Sequence, residues 1–287
     1  SNARTNDLWN SLEDISGKPV GRIMQNWTRK PGYPLISLYE DNGIRISQIR
    51  FYSSPNPKDR DKTIWLTPLK ITGVSLSRKV LLKRQNMKFP TKSSWLKANF
   101  GETSFVRVRY TPKMLEELSH VIAAKKLSEP DRFGVVRDAF ALARAGYVST
   151  DEVLKLALSY KEDDSYIVWA QISEQILHLR NLLFDTPVYQ DFRKFGRILL
   201  SSVVKKIGWE AKKGEKYDRA LLRSTVIYAA GSLGDEKVIK KAKELFEKER
   251  SAKHAIDSDL RGAIYNIVAQ NGGKREFKIF KDKFSKT

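Results

Sequence analysis

The chain has 287 residues, of which 41% are hydrophobic and 30% are charged, and its formal net charge is +20 at pH 7. This composition is typical of a globular protein of two ordinary domains, and no apolar run is long enough to predict a transmembrane helix. The sequence contains no cysteine, which excludes disulfides and thiolate metal sites and favours the reducing cytoplasm as its location.

The basic charge is unevenly distributed along the chain. Residues 1–112 carry 20 Lys and Arg against 8 Asp and Glu, whereas residues 113–287 carry 33 against 25. A basic field of this strength attracts nucleic acid, anionic membranes and acidic proteins alike. The alternative is a solvated basic surface on a chain whose partner domain is acidic. Composition leaves both interpretations open.

The first predicted elements are two short amphipathic helices within residues 4–30. Residues 1–3, Ser-Asn-Ala, match the remnant of a cleaved expression tag and are set aside. Apolar residues recur at helical spacing as far as Trp27, and the segment from Ser16 to Pro19 separates the two helices. Because two such helices cannot bury their apolar faces alone, we expect them to be the end of a larger domain.

Residues 31–111 are predicted to form a small antiparallel β-sandwich. Ile44 and Ile46 alternate with polar residues, and short segments of this kind are separated by turn residues at Pro31-Gly32, Asn42-Gly43, Pro55-Asn56-Pro57 and Gly73. The alternation then shifts between Ile46 and Ile49, which predicts a β-bulge in this strand.

Residues 112–287 are predicted to be helical throughout. Thr111 and Pro112 have the pattern of an N-cap followed by the first helical residue, and Ser149 and Glu152 have that of a capping box. A further helix start is predicted at Ser128-Glu129-Pro130-Asp131. The periodicity indicates about nine helices at short intervals. Successive short helices of this kind predict a curved, all-α domain resembling HEAT repeats.

No catalytic constellation is evident in these residues. The three histidines, His120, His178 and His254, lack a second ligand at metal-binding spacing. A glycine-rich phosphate loop and a serine nucleophile motif are also missing from the sequence. The residues alone therefore predict no catalytic and no metal site.

One basic stretch, residues 77–97, could bind nucleic acid. It places Phe89 and Trp95 among Lys and Arg residues, as a single-strand binding surface does. However, Val80, Leu82 and Trp95 also fit core positions of a sandwich, and lysines commonly protect strand edges from aggregation. The second interpretation is favoured.

Three segments resemble the zinc aminopeptidases of the aminopeptidase N and puromycin-sensitive type. The first resembles the junction at which that family's thermolysin-like catalytic domain ends and a β-sandwich begins, through Leu8, Trp9, Ser16, Gly17, Val20, Met24, Trp27, Thr28, Gly32, Tyr33 and Pro34. The second is similar to the strand that ends the sandwich, through Trp95, Lys97, Asn99, Phe105, Arg107, Val108 and Tyr110. The third resembles the first helices of the family's C-terminal domain, through Asp131, Arg132, Asp138, Ala143 and Gly146.

The resemblance implies that the chain is the C-terminal half of an enzyme that removes N-terminal residues from peptides. The family's His-Glu-x-x-His zinc helix, its further glutamate ligand, its Gly-Ala-Met-Glu-Asn loop and its catalytic tyrosine have no counterpart in the sequence. We therefore expect zinc in the intact parent only, and no activity from this part alone. The implied partners are peptide substrates, the missing N-terminal catalytic domain and, by similarity to tricorn-interacting aminopeptidases, a tricorn-type protease.

The resemblance further implies that the helical domain encloses the active-site cavity and helps to bind the peptide. Arg223 and Arg261 are the candidates for binding the peptide's C-terminal carboxylate, which a guanidinium can hold through two hydrogen bonds. Either arginine could instead be structural, and we predict that Arg107 and Arg132 are, joining the sandwich to the helices. The alternative function is a freestanding helical-repeat module that binds nucleic acid or an acidic protein.

Overall fold

The structure is a computed structural model that describes residues 4–54, 62–251 and 256–284, except for the side chains of residues 283 and 284. It divides into two compact units, residues 1–156 (unit 1) and 157–287 (unit 2). The first helices after the sheets belong to unit 1, so the boundary between the units in the sequence falls within the predicted helical region. The domain bounds 4–30, 31–111 and 112–287 stay predictions. The tag remnant, the turn at Pro55-Asn56-Pro57 and His254 lie outside the described residues.

Unit 1 begins with two helices, continues with seven strands and ends with three helices. In chain order these elements are α1 (Thr5–Ser16), α2 (Val20–Thr28), β1 (Pro34–Glu40), β2 (Ile44–Arg50), β3 (Thr67–Gly73), β4 (Leu76–Leu82), β5 (Asn86–Phe89), β6 (Leu96–Ala98), β7 (Arg107–Arg109), α3 (Pro112–Ala123), α4 (Glu129–Arg144) and α5 (Thr150–Ala157). This order confirms the helical stub and the small β domain.

The first helix, α1, exposes its apolar face, whereas the apolar residues of α2 are half-buried. α1 ends at Gly17, whose φ of 61° is the left-handed conformation that glycine adopts without strain. Neither helix holds a fully buried residue, and Ile15 is 86% exposed. α2 is attached to the sheets by Trp27, whose indole Nε1 donates a hydrogen bond to the carbonyl of Leu66 at 2.9 Å. An apolar face without a partner is thus found in α1, whereas α2 packs on the β domain, and the assignment of both helices to a larger domain stays a prediction.

The strands form two sheets, with the orders β5-β2-β1-β7 and β4-β3-β6. The pairs β1–β2, β2–β5, β3–β4 and β3–β6 are antiparallel, as expected. β7 departs from the all-antiparallel prediction, because it pairs with β1 in parallel over three residues. The chain reaches β7 from β6 in the other sheet rather than through a hairpin, so its direction need not alternate.

The predicted bulge in β2 is wrong. The pairing of β1 with β2 is continuous from Pro34 opposite Arg50 to Glu40 opposite Ile44. Alternation continues because Gln48, not Ile49, is the next inward residue: Gln48 is fully buried, whereas Ile49 is 42% exposed. The Gln48 side chain tolerates burial because it exchanges two hydrogen bonds with the backbone of Trp65, at 3.0 and 3.1 Å.

Unit 2 consists of helices packed around α8. After a short 3-10 helix (Leu158–Tyr160) it contains α6 (Tyr166–Leu182), α7 (Tyr189–Ile207), α8 (Tyr217–Ser232), α9 (Glu236–Ser251), α10 (Ser258–Asn271) and α11 (Lys274–Phe284). α8 contacts α6, α7, α9 and α10, a pattern typical of stacked helix pairs. From α3 onward the described residues form nine α-helices, as predicted, and none of the described helices is long and apolar enough to cross a bilayer.

The predicted helix starts are confirmed by their caps. The Thr111 hydroxyl accepts a hydrogen bond from the Met114 amide, and the Ser128 hydroxyl accepts one from the Asp131 amide. Ser149 and Glu152 form the reciprocal capping box, with both hydrogen bonds at 3.2 Å. These caps satisfy amides that have no partner within their own helices.

Candidate functional site

A buried cluster of charges joins the sheets of unit 1 to α4. The Asp138 carboxylate of α4 accepts hydrogen bonds from the Arg107 guanidinium at 2.8 Å and from the Val108 amide at 2.9 Å, both in β7. Arg137 bridges Asp138 and Glu102, at 2.9 and 2.8 Å. Burial lowers the pKa of Arg107, but the adjacent Asp138 raises it above its ordinary value overall. This geometry agrees with the predicted structural role of Arg107.

Lys97 is the most buried member of this charge cluster. Its side chain is 1% exposed, and its Nζ lies 2.7 Å from Glu102 Oε1 and 3.6 Å from Asp131 Oδ1. Asp131 in turn accepts a hydrogen bond from the Gly101 amide at 2.7 Å. Every one of these charges has an opposite partner, so the cluster is suited to holding elements together.

Two further residues of the resembling segments are also structural. Burial raises the pKa of Tyr110 well above its ordinary value, so its hydroxyl stays protonated beside the Ala98 amide, 3.1 Å away. The Arg132 side chain donates to the carbonyl of Leu127 at 2.9 Å, which secures the start of α4. The contact expected between Arg132 and the sheets stays a prediction.

Unit 2 contains an open groove across α6, α8 and α10. Its volume is about 430 Å³, and it is lined by Ala170, Ser173, Glu174, Leu177, Ser224, Thr225, Tyr228, Gly262, Ala263 and Asn266. Most of these side chains are small, and several carry a hydroxyl or an amide. Sequence patterns did not identify the groove, although small residues one turn apart in α8 and α10 were a usable signal.

The two candidate arginines flank this groove in sequence but do not line it. Arg223 is 3% exposed, and its guanidinium donates a hydrogen bond to Glu215 Oε2 at 2.6 Å. This bond lowers the pKa of Glu215 below its ordinary value. The side chain of Arg261 is 39% exposed, and its Nε lies 3.3 Å from Glu249 Oε1. The structure therefore places both arginines beside a carboxylate, with Arg261 the more accessible.

The basic stretch at residues 77–97 offers few surfaces on which a base could stack. Phe89 is only 5% exposed, and the Arg78 guanidinium lies 4.8 Å from its ring centroid. Leu82 is fully buried, as the core interpretation predicts, whereas Val80 and Trp95 are half-buried. Stacking on exposed aromatic rings is a main source of affinity for single strands, so the geometry does not favour nucleic acid here.

Comparison with known proteins relates the chain to aminopeptidases. The sequence pattern of the ERAP1-like C-terminal domain family matches residues 95–287. Aminopeptidase 2 of Candida albicans is 31% identical over 285 residues, which make up 96% of this chain and 31% of that protein. Aminopeptidase M1-A of Oryza sativa subsp. japonica is 32% identical over 291 residues, with coverages of 96% and 33%.

The puromycin-sensitive aminopeptidase of Caenorhabditis elegans is 30% identical over 293 residues, which cover 96% of this chain and 31% of that protein. The similarity therefore extends beyond the matched family pattern, into the N-terminal helices and the first sheets. The chain spans about a third of the length of the curated relatives it matches.

Proposed function

The chain belongs to the ERAP1-like C-terminal domain family, and from this premise we propose that it is the C-terminal part of a zinc-dependent aminopeptidase that removes N-terminal residues from peptides. In this proposal the chain encloses and binds the peptide, and the rest of the parent performs the hydrolysis. The observation that carries the proposal is the similarity of 96% of the chain to proteins that are each named an aminopeptidase.

The described residues do not fit a zinc site. Among residues 4–54, 62–251 and 256–284, no three His, Asp or Glu side chains are grouped so that they could hold a metal ion. His120 and His178 lie exposed on different helices. No step of the proposed role therefore runs through zinc, and the metal belongs to the parent outside these residues. We accordingly expect no hydrolysis of aminoacyl substrates by this chain alone.

The groove across α6, α8 and α10 supports peptide binding. Its small side chains leave room for an extended backbone, and Ser224, Thr225 and Asn266 supply donors and acceptors for peptide groups. Pockets that bind ligands combine apolar walls with a few polar groups in this way.

Arg261 and Arg223 remain the proposed ligands of the peptide's C-terminal carboxylate. Arg261 is the better placed, because its side chain is 39% exposed. A carboxylate approaching Arg223 would compete with Glu215 for a guanidinium that is 3% exposed. We therefore assign most of the carboxylate recognition to Arg261.

The experiment is kinetic and uses the intact parent. Arg261→Ala should lower kcat/KM for peptides of several residues by about tenfold, because a hydrogen bond to a charged group is lost, and should leave single-residue reporter substrates nearly unaffected. The matched control is Arg250→Ala, which removes an arginine of similar exposure from the neighbouring α9. An equal loss on both substrate classes would remove the role in binding the peptide end.

Two finer assignments extend this proposal. The cysteine-free sequence supports a cytoplasmic location. Cooperation with a tricorn-type protease rests on the sequence resemblance alone. Co-purification of the parent with such a protease tests the second assignment, and a consistent failure to co-purify would remove it without affecting the peptidase role.

A further inference from the structure

In one segment of unit 1 all the charged residues are basic. Residues 62–101 contain nine Lys and Arg and no Asp or Glu. The exposed basic residues of β4, β5 and their flanking turns are Arg78, Lys79, Lys83, Arg84, Lys88 and Lys92. β4 and β5 are each the edge strand of their sheet. Six of the nine basic residues in this segment thus lie on or next to the edge strands.

An apolar groove of about 590 Å³ lies over the β3–β4 pair, between the start of α2 and the loop that follows β6. We name it the lysine groove and define it by its apolar residues Ile23, Val80 and Leu81 and its basic residues Lys18, Lys70 and Lys79. None of the described residues that line it is acidic. An occupant would therefore meet apolar side chains and an uncompensated positive charge together.

The backbone of β4 adds a second means of recognition. The Phe100 amide donates a hydrogen bond to the carbonyl of Lys70 at 2.8 Å, so the backbone groups of Lys70 point towards β6. Lys70 lies opposite Lys79 in the β3–β4 pair. In an antiparallel sheet a residue directs its N–H and C=O to the same side, so those of Lys79 point away from β3, towards the open edge. An added strand could bond there.

The combination favours a protein segment over other polyanions. Lysines that only protect an edge from aggregation would not need an apolar groove beside them. Single-stranded nucleic acid binds largely by stacking its bases on exposed rings, but Lys70 Nζ lies 4.6 Å from the ring centroid of Phe100 and occupies one of its faces. A membrane surface needs protruding apolar side chains, whereas this surface is concave. We propose that the lysine groove binds an extended segment of a partner protein in which apolar residues alternate with Asp or Glu.

The test measures fluorescence anisotropy of labelled short peptides with the purified chain. A peptide alternating Val and Glu should bind saturably and more weakly as salt is raised. Lys18→Glu combined with Lys79→Glu should weaken this binding at least about tenfold, since it reverses two charges at the groove. Lys83→Glu combined with Lys92→Glu makes the same change in net charge nearby but outside the groove, and should have a much smaller effect.

Several results would overturn the proposal. The absence of saturable binding, or equal affinity for a peptide alternating Ser and Glu, would show that the apolar groove does not bind the apolar side chains of the peptide. An equal loss of peptide affinity in the two double variants would show that the peptide is attracted by the general positive charge of the surface and not by the groove. Tighter binding of an oligonucleotide or of phosphatidylserine vesicles, lost in the groove variant, would assign the surface to that partner instead. Circular dichroism of each variant confirms that it is folded, and aminopeptidase activity of the parent is a separate readout that these results do not affect.

Discussion

The two units hold their secondary structure together in different ways. In unit 1 the sheets meet α4 through buried ion pairs, in which Asp138 contacts Arg107, Arg137 and the Val108 amide. In unit 2 the helices meet mainly through apolar side chains and close backbone approach, and arginines of α6 and α7 donate hydrogen bonds to the carbonyls at the end of α8. A Cβ on Gly231 of α8 would lie 2.6 Å from Ile267 of α10. A buried ion pair also occurs in unit 2, but Glu215 with Arg223 ties a loop to α8 rather than one helix to another.

The difference follows from which backbone groups each surface leaves without a hydrogen-bond partner. A strand at a sheet edge or a turn has free amides, and carboxylates of α4 satisfy two of them, at Val108 and Gly101. The sides of helices have no free backbone groups, so helices can pack through side-chain shape alone. Buried ion pairs therefore fix orientation where sheet meets helix, whereas side-chain volume fixes it along the sides of the helices and arginines bind the free carbonyls at the end of α8.

The largest expected effect is the loss of the carboxylate at the centre of the unit 1 contact. Asp138→Ala leaves Arg107 and Arg137 without this partner and the Val108 amide without its acceptor, and should lower the free energy of unfolding by about 3 kcal/mol. Urea unfolding followed by tryptophan fluorescence measures the change. The control is Asp151→Ala, which removes an exposed ion pair with Lys155 and should cost less than about 1 kcal/mol. Similar losses in both variants would show that the buried pairs contribute no more than surface pairs.

The next effect tests whether volume decides the packing of unit 2. Gly231→Ala should lower the free energy of unfolding by about 1–3 kcal/mol, because the new methyl group meets Ile267. Gly262→Ala in α10 is the matched control, since nothing lies within 4 Å of its added Cβ, and it should be stabilising by up to about 1 kcal/mol. Thermal unfolding followed by circular dichroism compares the two. Stabilisation by both substitutions would contradict close packing at α8–α10.

The smallest effect concerns how the stability that the ion pair of Glu215 and Arg223 provides depends on pH. The Arg223 guanidinium lowers the pKa of Glu215 below its ordinary value of 4.5. The stabilisation is therefore complete above that pH and is lost as the pH falls through the lower pKa of the folded state. Stability measured as a function of pH should show wild type exceeding Glu215→Gln near neutrality and the difference closing below pH 4.5. The exposed Glu210→Gln is the control, and an equal pH-dependence in both variants would exclude the ion pair as its cause.

Local signals in the sequence predicted local structure well. The caps at Thr111, Ser128 and Ser149 depend on residues within one helical turn, so the pattern suffices to place the helix starts. Gln48 could not be assigned to the core in this way, because its partners in Trp65 lie 17 residues away. The same holds for the parallel pairing of β7, which depends on how the chain crosses between sheets.

The candidate sites also differ in how far the sequence predicts them. The sequence resemblance selected Lys97, Arg107 and Asp138, and the structure brings these residues into one buried cluster. The groove of unit 2 is built from small residues such as Ala263 and Ser224, which have no chemical signature of their own. Its existence depends on how three helices pack, which periodicity does not specify.

Amide hydrogen exchange of this chain with a peptide tests the central claim most directly. We propose that α6, α8 and α10 bind peptide through their common groove, and that Arg261, next to the groove in the sequence of α10, binds the peptide's C-terminal carboxylate. A short peptide with a free C-terminal carboxylate should slow exchange in these three helices, and its C-terminal amide should do so less. Protection that is absent, that lies in other helices, or that is the same for acid and amide would contradict the account.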